Sequence, residues 1–221
     1  MKLLNREIKL AIFDLDGTLI NSTSLWADID KEFFARRNME VPEKYAKEIA
    51  HLGLKKAAEI TKKLYCPNEN EEDIIAEWNY YAQKAYEEDI TIKDHALELI
   101  KKLKSFGVYI ALATANSKEL YLPCIKRLGI DKYLDYLIDV NSCKSGKNTT
   151  EIYDRATEHF HLENKDVVIF EDLLEPIKVA VSGGYLVIGV YDPHSISNIE
   201  EHKKHPHLFI RSFKEIIDLM E

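Results

Sequence analysis

Asp14-Leu15-Asp16-Gly17-Thr18-Leu19 sets two carboxylates and a hydroxyl directly after an apolar run at 8–13. Two acids one residue apart repel each other in an apolar setting and raise one another's pKa. A bound cation, or a proton shared between two roles, relieves that conflict. Asp and Gly are also ordinary turn residues, so the pair taken alone reads equally as a strand-to-loop turn. Three more polar groups follow apolar runs or precede helical stretches. Thr114 ends the run 108–113 and leads into Ala115-Asn116. A hydroxyl and exposed backbone N–H groups beside a helix start form an oxyanion site, although the same residues serve as plain helix caps. Lys147 precedes a helical stretch at 149–161, where a point cation can meet a phosphate oxygen or simply be solvated. Glu171-Asp172 follows the run 167–170; an acidic pair there suits a hard cation such as Mg²⁺. Carboxylates that share a metal, with a lysine and a hydroxyl facing one anion, match the needs of phosphoryl transfer.

These groups need a scaffold that brings them to one edge. Short apolar runs rich in β-branched residues occur at 8–13, 108–113, 136–140, 167–170 and 186–190, with a weaker one at 208–210. Stretches of helical period at 94–106, 117–128, 149–161 and 174–182 alternate with them. That alternation predicts an α/β fold with a mainly parallel sheet and right-handed crossovers. Ligands bind at the carboxyl ends of strands in such sheets, where residues 14, 114 and 171 fall. Residues 21–91 differ: 24–37, 42–50, 55–65 and 71–88 suit helices, and no strand stands out. The expected organisation is an α/β core of 1–20 and 92–221 with a helical bundle inserted at 21–91, hinged near Asn21 and Ile92. Trp26, Trp78 and the tyrosines of the insertion are expected in its core.

A chain of 221 residues, 46% hydrophobic and 31% charged, fits one domain carrying a smaller inserted one. The net charge of −8 argues against a nucleic-acid partner, since phosphate contacts need clustered Lys and Arg. Cys66, Cys124 and Cys143 have no metal-ligand spacing and fit free thiols in a reducing cytoplasm. Arg6, Glu7 and Lys9 interrupt any secretory apolar stretch, and no segment is long enough to span a membrane. The expectation is a cytoplasmic protein, monomeric or homodimeric. His202, His205 and His207 surround Pro206 in a polar stretch and read as a solvated loop rather than a metal site.

The segment Phe13-Asp14-Leu15-Asp16-Gly17-Thr18-Leu19, followed in order by Thr114, Gly146-Lys147 and Glu171-Asp172, resembles the haloacid dehalogenase superfamily. The likeness covers essentially the whole chain and is to the branch with a helical cap inserted after the first motif. It implies a Rossmann-like parallel sheet and a Mg²⁺-dependent phosphatase of a small phosphorylated metabolite, a sugar phosphate among the candidates. By the same likeness, Asp14 would become an aspartyl-phosphate while Asp16 serves as acid and then base. Asp14, Asp16 through its backbone carbonyl, and Asp172 would hold the metal, with Glu171 nearby or sharing that duty. Thr114, Ala115, Asn116 and Lys147 would bind the phosphoryl oxygens. The carboxylate of Asp16 sets the chain apart from the dehalogenases and phosphonate-cleaving relatives. The stretch 49–56 resembles the cap's specificity loop, with His51 and Lys55 toward the substrate's far end. Asn148-Thr149-Thr150, Leu173, Pro176 and Asn21 depart from the usual pattern, and Lys144 rivals Lys147. Two other readings stay open: a phosphomutase resembling β-phosphoglucomutase, and a catalytically silent metabolite-binding protein.

Overall fold

The computed structural model describes residues 1–49, 54–144 and 146–220. The strands are β1 (Lys2–Leu3), β2 (Arg6–Glu7), β3 (Leu10–Phe13), β4 (Tyr109–Thr114), β5 (Tyr136–Asp139), β6 (Val167–Glu171), β7 (Leu186–Val190) and β8 (Leu208–Ile210). β3 to β8 form one parallel sheet in the order β5-β4-β3-β6-β7-β8. All residues of β3, β6 and β7 are buried, the condition of parallel strands covered on both faces. The chain winds to β4 and β5 on one side of β3 and to β6, β7 and β8 on the other. β3 therefore borders the point where strand order reverses, the place such sheets leave open for a ligand.

The helices are α1 (Leu25–Ala35), α2 (Tyr45–Ile49), α3 (Leu54–Tyr65), α4 (Glu71–Lys84), α5 (Ala96–Ser105), α6 (Lys118–Arg127), α7 (Glu151–His159), α8 (Leu174–Ser182), α9 (Ile199–His202) and α10 (Lys214–Leu219). α5 buries Ala96, Leu99, Ile100 and Leu103, a stripe spaced i, i+3, i+4, i+7. α7 buries Ile152, Tyr153, Ala156 and Thr157, two adjacent pairs one turn apart on a single face. Phe13 and Phe170 stack between neighbouring strands at 4.5 Å, and Phe213 meets both rings.

The described residues fall into two compact units, Met1–Thr23 with Ile90–Glu221, and Ser24–Asp89. Within the first unit the two chain crossings pair. Asn21 N–H donates to the Thr91 carbonyl at 2.9 Å, and Lys93 N–H to that of Leu19 at 2.8 Å. Asp192 binds both, taking the Thr23 hydroxyl at 2.7 Å and the Lys93 ammonium at 2.9 Å. The second unit is helical, and Phe33, Phe34, Tyr45 and Trp78 are buried within it. Arg37 lies over the Phe33 ring while pairing with Glu69 and Glu77.

Two features differ from expectation. β1 and β2 form a short hairpin whose turn residues, Leu4 and Asn5, both take positive φ. Two-residue hairpins need that conformation, but Leu4-Asn5 lacks the usual glycine signal. Trp26 is 46% exposed rather than buried. It stands one turn ahead of the stripe formed by Ile29, Asp30, Phe33 and Phe34. Among the described residues, no helix is long and apolar enough to cross a membrane.

Phe170→Ala is expected to lower unfolding stability by about 3–5 kcal/mol, because the stacked pair at the sheet centre cannot collapse into the space left. Urea unfolding followed by circular dichroism measures this loss.

Candidate active site

The sheet register pairs Phe13 with Leu112 on β4 and with Phe170 on β6. Asp14 and Glu171 therefore leave adjacent strands at the same level. The Asp14 N–H donates to the Phe170 carbonyl at 3.0 Å, which fixes its backbone. Lys147 arrives from the loop before α7. Its ammonium donates to Asp14 Oδ1 and, at 2.9 Å, to Glu171 Oε2. Lys144, the sequence rival, is exposed and gives its backbone N–H to Glu151 at 2.9 Å.

Four donors occupy the Glu171 carboxylate. Oε1 accepts the N–H groups of Asp172 and Leu173, both at 3.2 Å. Oε2 accepts Lys147 and, at 3.3 Å, the buried Tyr153 hydroxyl. Asp172 is placed differently. Its Oδ1 accepts the Thr18 hydroxyl at 3.0 Å, while its buried Oδ2 accepts nothing among the described residues. Gly17 lies against that oxygen at φ +82°, and a Cβ there would collide with it. Glycine is the residue that tolerates both the conformation and the approach.

Asp16 turns toward another set of partners. Oδ1 accepts the Ser22 hydroxyl at 2.7 Å, and Oδ2 accepts the Asn116 amide at 3.3 Å. Thr114 is fully buried at the end of β4, and its Oγ1 accepts the Asn116 N–H at 3.0 Å. The Asn116 side chain in turn accepts the Ser117 N–H at 2.9 Å. Two N–H groups that the sequence reading left open for an anion are thus held by local turns. Ala115 is exposed beside them.

The remaining expectations resolve residue by residue. Lys55 is exposed on α3, and His51 lies outside the described residues. The C-terminal histidines are not a solvated set. His202 is buried with Nε2 3.2 Å from the Asp172 carbonyl. His205 meets Glu201 at 2.9 Å, and His207 Nδ1 accepts the Val187 N–H at 3.2 Å. Ser22 and Tyr153 are site neighbours that the sequence did not single out, while His202 was noticed but read as solvated. Ser22 looks like ordinary loop composition just after the first motif, and Tyr153 like ordinary helix composition.

Electrostatics separates these groups. Burial drives the Asp14 carboxyl well above the usual carboxylate range, with Glu171 adding to it and Lys147 opposing. Burial, then Glu171, pushes Asp172 up to about 7. Burial pulls Lys147 down, but Asp14 and Glu171 outweigh it and hold its pKa well above the ordinary value. Oxygens of Asp14, Glu171 and Asp172 lie within 4.8 Å of one another. Three buried carboxylates beside one ammonium, one of them with an oxygen that accepts nothing, form a donor set suited to Mg²⁺. Asp14 and Asp172 are the better placed ligands, since Glu171 is committed to Lys147, Tyr153 and its own loop.

A carboxyl whose folded pKa is raised stabilises the fold less as pH climbs past its unfolded value near 3.9. Because the Asp172 pKa is near 7, metal-free protein is expected to lose stability from about pH 4 to about pH 7 relative to Asp172→Asn. Thermal melts of both proteins in chelator measure the difference. Parallel profiles would rule out an uncompensated charge at Asp172.

Residues 11–190 match the family of haloacid dehalogenase-like hydrolases. Validoxylamine A 7'-phosphate phosphatase of Streptomyces hygroscopicus subsp. limoneus is 25% identical over 193 residues, covering 87% of this chain and 90% of that protein. A phosphorylated carbohydrates phosphatase of Thermotoga maritima is 28% identical over 188 residues, covering 80% of this chain and 82% of its own. The crystal structure of a HAD hydrolase, family IA, variant 3, from Entamoeba histolytica has a TM-score of 0.76 at 25% identity, covering 96% of this chain and 99% of that one. With a match spanning most of its length and this arrangement of acids at the carboxyl edge of a parallel sheet, the chain belongs to the haloacid dehalogenase-like hydrolase family.

Proposed function

We propose that this protein is a Mg²⁺-dependent phosphatase that releases phosphate from a small phosphorylated carbohydrate through an aspartyl-phosphate on Asp14. One observation carries the reading: Asp14 touches the buried Lys147 ammonium, beside an Asp172 oxygen that no described residue bonds. The two relatives named as phosphatases, of validoxylamine A 7'-phosphate and of phosphorylated carbohydrates, support the substrate class.

Lys147 and the Thr114 hydroxyl hold the phosphoryl oxygens and draw charge off the transferring group. The Asp14 carboxylate attacks phosphorus as the bond to the ester oxygen breaks, and Asp16 gives that oxygen its proton. Asp16, now a carboxylate, takes a proton from the water that cleaves the acyl-phosphate. Phosphate leaves and Asp14 is regenerated. Ser22 and Asn116 hold Asp16 by its two oxygens, which keeps it apart from the Lys147 cluster. Held by Asp14, Asp172 and the backbone carbonyl of Asp16, Mg²⁺ would offset the negative charge that otherwise keeps an anionic nucleophile from an anionic ester. Glu171 positions Lys147 and the loop at Asp172. The helical unit 24–89 takes the part of the cap, with His51 and Lys55 proposed for substrate selection.

A screen of sugar phosphates, other phosphorylated metabolites and pyrophosphate, with Mg²⁺ and with chelator, is expected to show Mg²⁺-dependent release of free phosphate. Asp14→Asn should abolish it, and Asp16→Asn should slow it by about 10²–10⁴-fold, the usual contribution of acid–base catalysis. Release unchanged in Asp14→Asn refutes the mechanism. A rearranged sugar phosphate with little free phosphate assigns a phosphomutase instead.

A further inference from the structure

The Asp172 peptide is held from three sides. Its N–H goes to Glu171 Oε1 at 3.2 Å, and its Oδ1 takes the Thr18 hydroxyl at 3.0 Å. Both of those partners lie within the family's recognised motifs. The third anchor comes from elsewhere in the chain. His202 ends α9, in the segment between β7 and β8, and its Nε2 lies 3.2 Å from the Asp172 carbonyl. Nδ1 of the same ring lies 3.4 Å from the Asn198 carbonyl, so both nitrogens face acceptors, and the shorter contact assigns the donated proton to Nε2. The ring is 3% exposed, which removes water as a ready substitute.

That carbonyl has few other donors within reach. Asp172 precedes Leu173, the N-cap of α8, and the first helical bond goes to Leu173 rather than Asp172. The residue four places on is Pro176, which has no N–H to give. A buried carbonyl left unpaired is costly and favours rotation of its peptide. Rotation there would swing the Asp172 side chain, whose Oδ2 must stay aimed past Gly17.

We propose that His202 is a positioning residue for the cation site, holding the Asp172 backbone so that its unbonded carboxylate oxygen faces the incoming Mg²⁺. The inference rests on the phosphatase reading and deepens it. Groups that orient metal ligands in this way typically contribute about 10–100-fold in metal affinity.

Calorimetric titration of Mg²⁺ alone into chelator-stripped, full-length protein tests the role without any substrate. His202→Leu is expected to bind Mg²⁺ about 10–100-fold more weakly than the parent. His202→Gln keeps an N–H donor at the reach of Nε2 and should recover most of that affinity. If His202→Leu does not fold, His202→Asn, whose amide is too short, takes its place in the comparison with His202→Gln. Equal Mg²⁺ affinity across parent, Leu and Gln variants overturns the role of His202 and leaves the phosphatase reading standing. A Gln variant as weak as Leu or Asn also overturns it, because packing rather than the donated hydrogen bond then matters. Absence of any Mg²⁺ binding by the parent protein overturns both together.

Discussion

The ammonium of Lys147 faces more negative charge than it can balance, and the rest of the site is arranged around that shortfall. Asp14 and Glu171 share the cation, while Asp172 lies close by with an oxygen that no described residue bonds. In a buried setting such an imbalance is resolved by protonation or by a second cation. The raised pKa values of Asp14 and Asp172 express the first outcome. Mg²⁺ would bring the second and turn Asp14 into the anion that nucleophilic attack requires. One lysine is therefore enough to gather the acids but too little to neutralise them.

The scaffold makes that shortfall tolerable. Adjacent central strands deliver Asp14 and Glu171, and every residue of β3 and β6 is buried. Stacked Phe13 and Phe170 lie one residue before the two acids. Rigid packing beneath a repulsive site is how folded proteins keep groups together that would separate in water. Gly17 shows the tightness of the fit, since even one added carbon would meet Asp172.

Much of the α/β plan was legible because fully buried parallel strands appear as apolar runs, as β3, β7 and β6 up to Glu171 all do. Even the weak run at 208–210 is a strand, β8, paired to β7. The hairpin of β1 and β2 was not, because its positive-φ turn uses Leu4 and Asn5 rather than a glycine. Trp26 shows a related limit, as period alone does not say where a helix outruns its packing partner. At the site, the end of each strand could be read, but its partners could not. Tyr153 and His202 approach Glu171 and Asp172 from 18 and 30 residues away along the chain. Contacts at that separation depend on sheet register and loop path. The departure at Pro176 gains meaning only beside His202, which supplies a donor to the carbonyl four residues earlier.

The decisive measurement is mass spectrometry of the protein quenched in acid during turnover of a good substrate. A phosphoryl group on the peptide bearing Asp14, formed with Mg²⁺ and missing in chelator, is expected. Steady phosphate release with that peptide never modified, or a phosphoryl group carried on a different residue, would contradict covalent catalysis by Asp14.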